Sequence, residues 1–277
     1  GIDFLSDGRM IVCTWDTDGS VYIIDNYSGK KEDMSIKRFA KGLSEPLGLK
    51  VVNDEIYVCQ KQELTKLTDL DKDGVCDEYL NVCNAWEVSN NFHEFTFGPV
   101  YKDGFFYVAL AVSVNVGGAT TKPQVKDRGC LIKIDPKTRE YELFAAGLRT
   151  PNGISLNSKG EIFVADNQGD WLPGNKIMHV KEGRFYNHKY FPPHPWSTRP
   201  VSPPAVWLQQ NEIANSPSQP VFIPPGTFKD QMLFGDVHHG GIKRTFLDKV
   251  KGEYQGAAFR FSQGIRGGVN RLAFGPD

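Results

Sequence analysis

Three observations on the 277-residue sequence predict an all-β fold. Short apolar runs recur between polar turns. Glycine (28 residues), proline (17) and aromatic residues (12%) are plentiful, which suits many short strands joined by tight turns. No long stretch repeats its apolar residues at the helical period, so helix content should be low.

The strands come in a repeating order. An apolar strand is followed by a polar turn with Asp-Gly or Lys-Gly, then by a second apolar strand ending in a small or polar residue. Copies occupy residues 2–13, 48–59, 95–108, 153–166 and, more loosely, 220–236. A sixth begins at Asn270 and reaches its turn at Gly275-Pro276-Asp277. Between copies lie further strand candidates, 19–25 and 129–135, and a short edge-like strand at 140–144. Each repeat is thus a four-stranded meander. Copies stand roughly 45 to 70 residues apart, the period of propeller blades with long loops. The expected architecture is a six-bladed β-propeller of four-stranded antiparallel blades. One domain would span 1–277, with about five blades plus the start of another. A strand is expected after Asp277, so the ring reads as incomplete at its C-terminal end. Residues 169–216 carry many prolines with Trp171, Trp196 and Trp207, and are expected to form an insertion over one face.

With 32 basic and 33 acidic residues, neither charge dominates, which argues against nucleic acid as a partner. No apolar run approaches the ~20 residues of a membrane-spanning helix. Cys13, Cys59 and Cys130 lie in apolar strand-like runs, where buried free thiols are common. Cys76 and Cys83 flank a turn-rich stretch and are the one pair whose spacing leaves a disulfide open. No Cys/His spacing matches a zinc site or a haem-attachment motif.

Segments 147–169 (GLRTPNGISLNSKGEIFVADNQG) and 93–110 (HEFTFGPVYKDGFFYVAL) resemble the glucose/sorbosone dehydrogenase type of quinoprotein propeller. The stretches GDVHHGGIKR and GEYQGAAFRFSQGIRGGVNRLAFGPD resemble an exported bacterial branch described as membrane-bound dehydrogenases. The resemblance spans nearly the whole chain. It implies an exported sugar or polyol oxidoreductase, periplasmic or at the cell surface, using pyrroloquinoline quinone (PQQ). Electrons would pass to a cytochrome-type domain or other acceptor. By the same resemblance His93 is the base toward a sugar hydroxyl, Arg149 a quinone or substrate contact, and Gln168 a polar contact. Thr150 departs from the pattern, since better-known members carry Asn after this Arg.

Loops at one end of a propeller converge on its central channel, so ligand sites are expected just before and just after each hairpin. The candidates there are His93, Arg149, Asn152, Asn270 and Arg271 before hairpins. After them stand Trp15 and Asp16, Gln60 and Lys61, Asn167 to Trp171 (with Gln168 and Asp170), and Asp236 to His239 (with His238). A histidine can take a proton near neutral pH, an arginine can grip an anion in bidentate fashion, and Trp15 or Trp171 can stack on a sugar ring. The plain reading is that Asn, Asp and Gly after a strand are ordinary turn residues. His179, His188 and His194 read as surface or insertion residues.

One motif points to metal. Asp69, Asp71, Asp73, the Val75 carbonyl and Asp77 fall at alternate positions, with Gly74 at the sharp turn. Hard Ca²⁺ takes several oxygens in such a wrap. The twelfth-position Glu of an EF-hand is absent, as Leu80 stands there. Such a site would stiffen a loop rather than catalyse.

Two other functions fit the same sequence. One is a propeller that cleaves glycans without redox chemistry, with His93 or His238 acting beside Arg149. The other is a non-catalytic module that binds carbohydrate or protein.

Overall fold

A computed structural model describes residues 1–226, 228 and 231–276. Thr227, Lys229 and Asp230 of the fifth repeat's turn, and Asp277 of the sixth repeat, lie outside the described residues.

Twenty strands form five four-stranded antiparallel sheets, each a simple meander. Blade 1 comprises β1 (Ile2–Phe4), β2 (Met10–Cys13), β3 (Val21–Asp25) and β4 (Ser35–Ala40). Blade 2 comprises β5 (Gly48–Val52), β6 (Glu55–Cys59), β7 (Leu64–Thr68) and β8 (Glu78–Cys83). Blade 3 holds β9 (Thr96–Lys102), β10 (Phe105–Leu110), β11 (Cys130–Asp135) and β12 (Glu140–Ala146). Blade 4 holds β13 (Pro151–Leu156), β14 (Ile162–Asp166), β15 (Asn175–Val180) and β16 (Val206–Leu208). Blade 5 holds β17 (Val221–Phe222), β18 (Met232–Gly235), β19 (Ile242–Val250) and β20 (Glu253–Ser262). Two short 3₁₀ turns are the only helical pieces among the described residues.

Five of the expected repeats are the first two strands of each blade, whereas the sixth, begun at Asn270, forms no strand among the described residues. Their turns follow the sequence: Asp103-Gly104, for example, puts both residues at positive φ, as a tight hairpin demands. The first strand of each blade lies innermost, and these strands touch around one axis. Apolar residues alternate along the strands and interlock face to face. Ile11, Val21, Leu49 and Val58 join blades 1 and 2, and Cys59, Leu64, Phe106 and Val108 join blades 2 and 3. Ala109, Leu131, Val164 and Met178 join blades 3 and 4, and Phe163, Ile177, Met232 and Phe234 join blades 4 and 5. Each such Val, Leu, Ile, Phe or Met side chain stabilises the fold by roughly 1.5–3 kcal/mol through burial.

The axis is closed by backbone. A Cβ on Gly48 would fall 1.4 Å from the Gly98 carbonyl oxygen, so only glycine lets β5 and β9 approach this closely. The space left on the axis is about 20 Å³.

Residues 169–216 do not form a single excursion. They supply β15 and β16 to blade 4, and the proline-rich part, with Trp196, is the link at 181–205. That link pairs in parallel with the outer strand of blade 3 at Phe185 and Ala146. Its path buries His188 and His194, which sequence reading places at the surface or in the insertion. His194 Nε2 lies 3.5 Å from the thiol of Cys130. All five cysteines are free, including Cys76 and Cys83.

Candidate functional site

In an antiparallel meander, the start of the first strand and the end of the second share one end of the sheet. The links into β9 and β13 and the loops after β10 and β14 therefore meet at one end of the axis. There the structure brings His93, Arg149 and Thr150 together.

His93 is half-buried. Its Nδ1 lies 2.7 Å from the Val112 carbonyl oxygen, and its Nε2 lies 3.3 Å from Thr150 Oγ1. A carbonyl only accepts, so Nδ1 carries the proton. Arg149 Nη1 donates to Thr150 Oγ1 at 3.0 Å, and a guanidinium only donates. The Thr150 hydrogen is left to point at Nε2. The network thus selects one tautomer, with the lone pair of Nε2 facing Thr150. Burial draws the His93 pKa down to about 4, the Val112 carbonyl opposes it, and the Arg149 charge adds to it. The ring is neutral at pH 7. Phe95 packs at 4.9 Å between centroids and is itself met edge-on by Trp15.

Arg149 is buried and anchored at both ends. Its Nη2 donates to the Gly118 carbonyl at 2.8 Å. Its own N–H and that of Thr150 donate to the carboxylate of Asp166 at 2.8–3.2 Å. Asp166 is fully buried and faces Lys176 Nζ at 3.1 Å. Burial lowers the Arg149 pKa, and Asp166 and Asp170 oppose that shift. The buried Nε of Arg149 has no hydrogen-bond partner. Arg128, also fully buried, donates to the carbonyls of Glu87, Glu94 and Phe95 and so fixes the segment that carries His93.

Asn152, Asn270 and Arg271 form a second cluster on the axis. Arg271 donates to the Leu47 carbonyl, to Asn152 Oδ1 at 2.7 Å and to Asn270, and its guanidinium lies 5.5 Å from the Phe97 ring. Asn152 Nδ2 donates to Asn270 Oδ1.

The other sequence candidates lie elsewhere on the same end. Asn167 is buried, donates to Ser216, and leaves its Oδ1 without a partner. The Gln168 N–H donates to Asn175. Asp170 and Trp171 turn toward the link at 181–205. There they line a cavity of about 270 Å³ with Thr120, Lys122, Lys189, Tyr190 and Phe191. His238 and His239 sit on the exposed loop of blade 5. Their N–H groups donate to Asp236, and His239 Nε2 lies 3.4 Å from Asn211.

Sequence reading missed Thr150 as a partner of His93, and missed Asp166, Lys176, Arg128 and His188. One signal was available. Blade 5 repeats the arrangement of blade 4: Asp236 accepts backbone N–H groups of a neighbouring link, and Lys243 Nζ lies 3.2 Å from it. The matching Asp and Lys in VADN…GNKI and FGDV…GIKR mark both pairs.

The acidic loop lies at the opposite end, between β7 and β8. Ligand oxygens of Asp69, Asp71 and Asp77 come within 4.8 Å of one another. Asp73 is not among them; its carboxylate accepts the Val75 N–H at 2.7 Å. Gly74 has φ +82°, as the turn requires. Lys37 of β4 reaches across to donate to the Asp73 carbonyl.

Solved structures share this fold. An oxidoreductase of Thermus thermophilus described as a glucose dehydrogenase aligns with a TM-score of 0.70 at 16% identity, covering 99% of this chain and 86% of that one. The PQQ-bound aldose sugar dehydrogenase of Streptomyces coelicolor aligns with a TM-score of 0.66 at 14% identity, covering 93% and 80%. The holo PQQ domain of pyranose dehydrogenase from Coprinopsis cinerea aligns with a TM-score of 0.66 at 11% identity, covering 97% and 80%. At these identities the likeness shows the β-propeller fold alone. No curated protein matches the sequence. A family profile described as "Domain of unknown function (DUF7133)" matches residues 29–207.

Proposed function

The chain belongs to the DUF7133 family, and from that premise we propose that it is an exported sugar or polyol oxidoreductase of the quinoprotein type. The observation that carries the reading is His93. Its ring is neutral, its tautomer is fixed by Val112, and its Nε2 lone pair faces the one group, Thr150 Oγ1, that a substrate hydroxyl would displace. A hydroxyl in that place would give its proton to Nε2 as the carbon beside it is oxidised. The Arg149 guanidinium would steady the developing oxyanion.

PQQ fits the polar groups present. The buried Nε of Arg149 is a donor without an acceptor, and Oδ1 of Asn167 is an acceptor without a donor. A flat quinone bearing carboxylates and a ring N–H carries an acceptor for the one and a donor for the other. Arg149, Asn167 and Gln168 would hold it, and bound PQQ would supply the two-electron acceptor for the substrate hydride. A cytochrome-type domain or other acceptor would take the electrons onward. Calcium belongs in this reading to the β7–β8 loop, held by Asp69, Asp71 and Asp77.

A sixth blade completes the proposed ring. Blade 5 leaves Phe246, Phe259 and Phe261 about half exposed on the face turned away from blade 4. Apolar residues in such a row ask for a covering sheet.

The test is dye-linked dehydrogenase activity over a panel of aldoses and polyols, with and without added PQQ and Ca²⁺. Quinone-dependent dye reduction is expected, falling by roughly 10²–10⁴-fold in His93→Ala. Undiminished activity in His93→Ala would refute the assignment of the base. Cleavage of an oligosaccharide with no electron acceptor present would replace the redox reading by a hydrolase or lyase.

A further inference from the structure

We propose that the cavity between Trp171 and Phe191 is a subsite for one glycosyl unit of an oligosaccharide. The proposal deepens the carbohydrate reading above, but its binding claim stands without any redox step.

Two large aromatic rings flank the cavity and are left to solvent, Trp171 at 53% exposure and Phe191 at 64%. Trp171 is held in place, because Lys189 Nζ lies 5.3 Å from the ring centroid. Between the rings stand polar groups of both kinds. Asp170 is fixed by Thr120, whose N–H and hydroxyl donate to its two oxygens at 3.2 and 2.5 Å. The remaining lone pairs of that carboxylate can accept hydroxyl hydrogens. Lys122 and Lys189 supply donors on the same rim.

A pyranose ring asks for this combination. It has an apolar C–H face that lies flat on an aromatic ring, and a girdle of hydroxyls that need both acceptors and donors. A volume of about 270 Å³ is small for a whole drug-sized ligand but enough for one small ring.

The position relative to His93 gives the inference its reach. Thr120, which lines the cavity, has its Oγ1 3.3 Å from the buried His188 Nε2. A Cβ on Gly169 would fall 3.0 Å from Arg149 Cγ and 3.2 Å from His188 Cε1. Gly118, two residues before Thr120, gives its carbonyl to Arg149. The loops that line the aromatic cavity therefore adjoin the residues that hold Arg149.

Binding is read by titration calorimetry on the full chain with glucose, cellotriose and trigalacturonate, with no cofactor or turnover required. A trisaccharide is expected to bind about tenfold more tightly than glucose, the step one aromatic stacking contact provides. Trp171→Ala should erase that difference, and Trp171→Phe should restore most of it. The two trisaccharides separate a neutral unit from a uronate drawn by Lys122 and Lys189. The proposal is overturned if neither trisaccharide binds more tightly than glucose, or if Trp171→Ala binds them as wild type does. Preference for a trisaccharide in a protein that reduces no dye would sink the oxidoreductase reading and leave this subsite standing.

Discussion

The hydroxyl of Thr150 stands 3.3 Å from Nε2 of His93. It accepts from Arg149 at the same time, so one oxygen couples the candidate base to the buried cation. Thr150→Val removes that oxygen and strands a buried guanidinium hydrogen. The expected cost is about 1–3 kcal/mol of folding stability, while Thr150→Ser keeps the link and the stability. Urea midpoints of the two variants decide the matter, and equal midpoints would mean that the coupling is idle.

His93 and His188 make the fold sensitive to acid. Burial, the largest cause for each, draws both pKa values from 6.5 to about 4. In the unfolded chain both rings protonate near their ordinary value. Between these limits the unfolded state binds more protons, so stability is fully present above about pH 6.5 and is lost as pH falls toward 4. Each ring contributes up to roughly 3 kcal/mol. Urea unfolding at a series of pH values should show this decline, with a shallower slope in His188→Gln.

Asp166 and Lys176 form a buried ion pair beneath Arg149. Removing one partner leaves an uncompensated charge, so Lys176→Met should cost roughly 3–5 kcal/mol. Asp166→Asn in the same chain should recover part of that loss. A double variant as unstable as the sum of the singles would show that the two groups are not coupled.

Calcium should stabilise the protein through a loop remote from His93. At a hundredfold excess over its dissociation constant the ion contributes about 2.7 kcal/mol, seen as a rise in Tm. Asp71→Asn should abolish the rise and leave the His93 titration unmoved. A Tm indifferent to calcium and to chelator would exclude the site.

Much of the architecture was legible because it is local. A hairpin needs its turn residues and its alternating apolar positions within a dozen residues, and Lys102-Asp103-Gly104-Phe105 states both. The six-bladed expectation reached further than the five sheets seen, because blade number is a property of closure and not of any one repeat. Within the site, His93 and Arg149 were legible, since each directly precedes a hairpin. Their partners were not. Thr120 and His188 are 68 residues apart and meet only because the link at 181–205 pairs with the edge of blade 3. The same pairing draws His188 and His194 inward against their polar character. His238 follows the second strand of a different blade, and sequence alone does not say how far apart two blades stand.

The contact of Gly48 with Gly98 has a kinetic meaning. The free space on the axis, about 20 Å³, is room for a single water and far too little for a sugar. The molecule is a cul-de-sac. Whatever reaches the His93 end must come and go through one doorway, so two ligands using it have to queue. Excess substrate should therefore slow turnover by obstructing the exit, and widening the aromatic rim should ease the traffic more than any change along the axis.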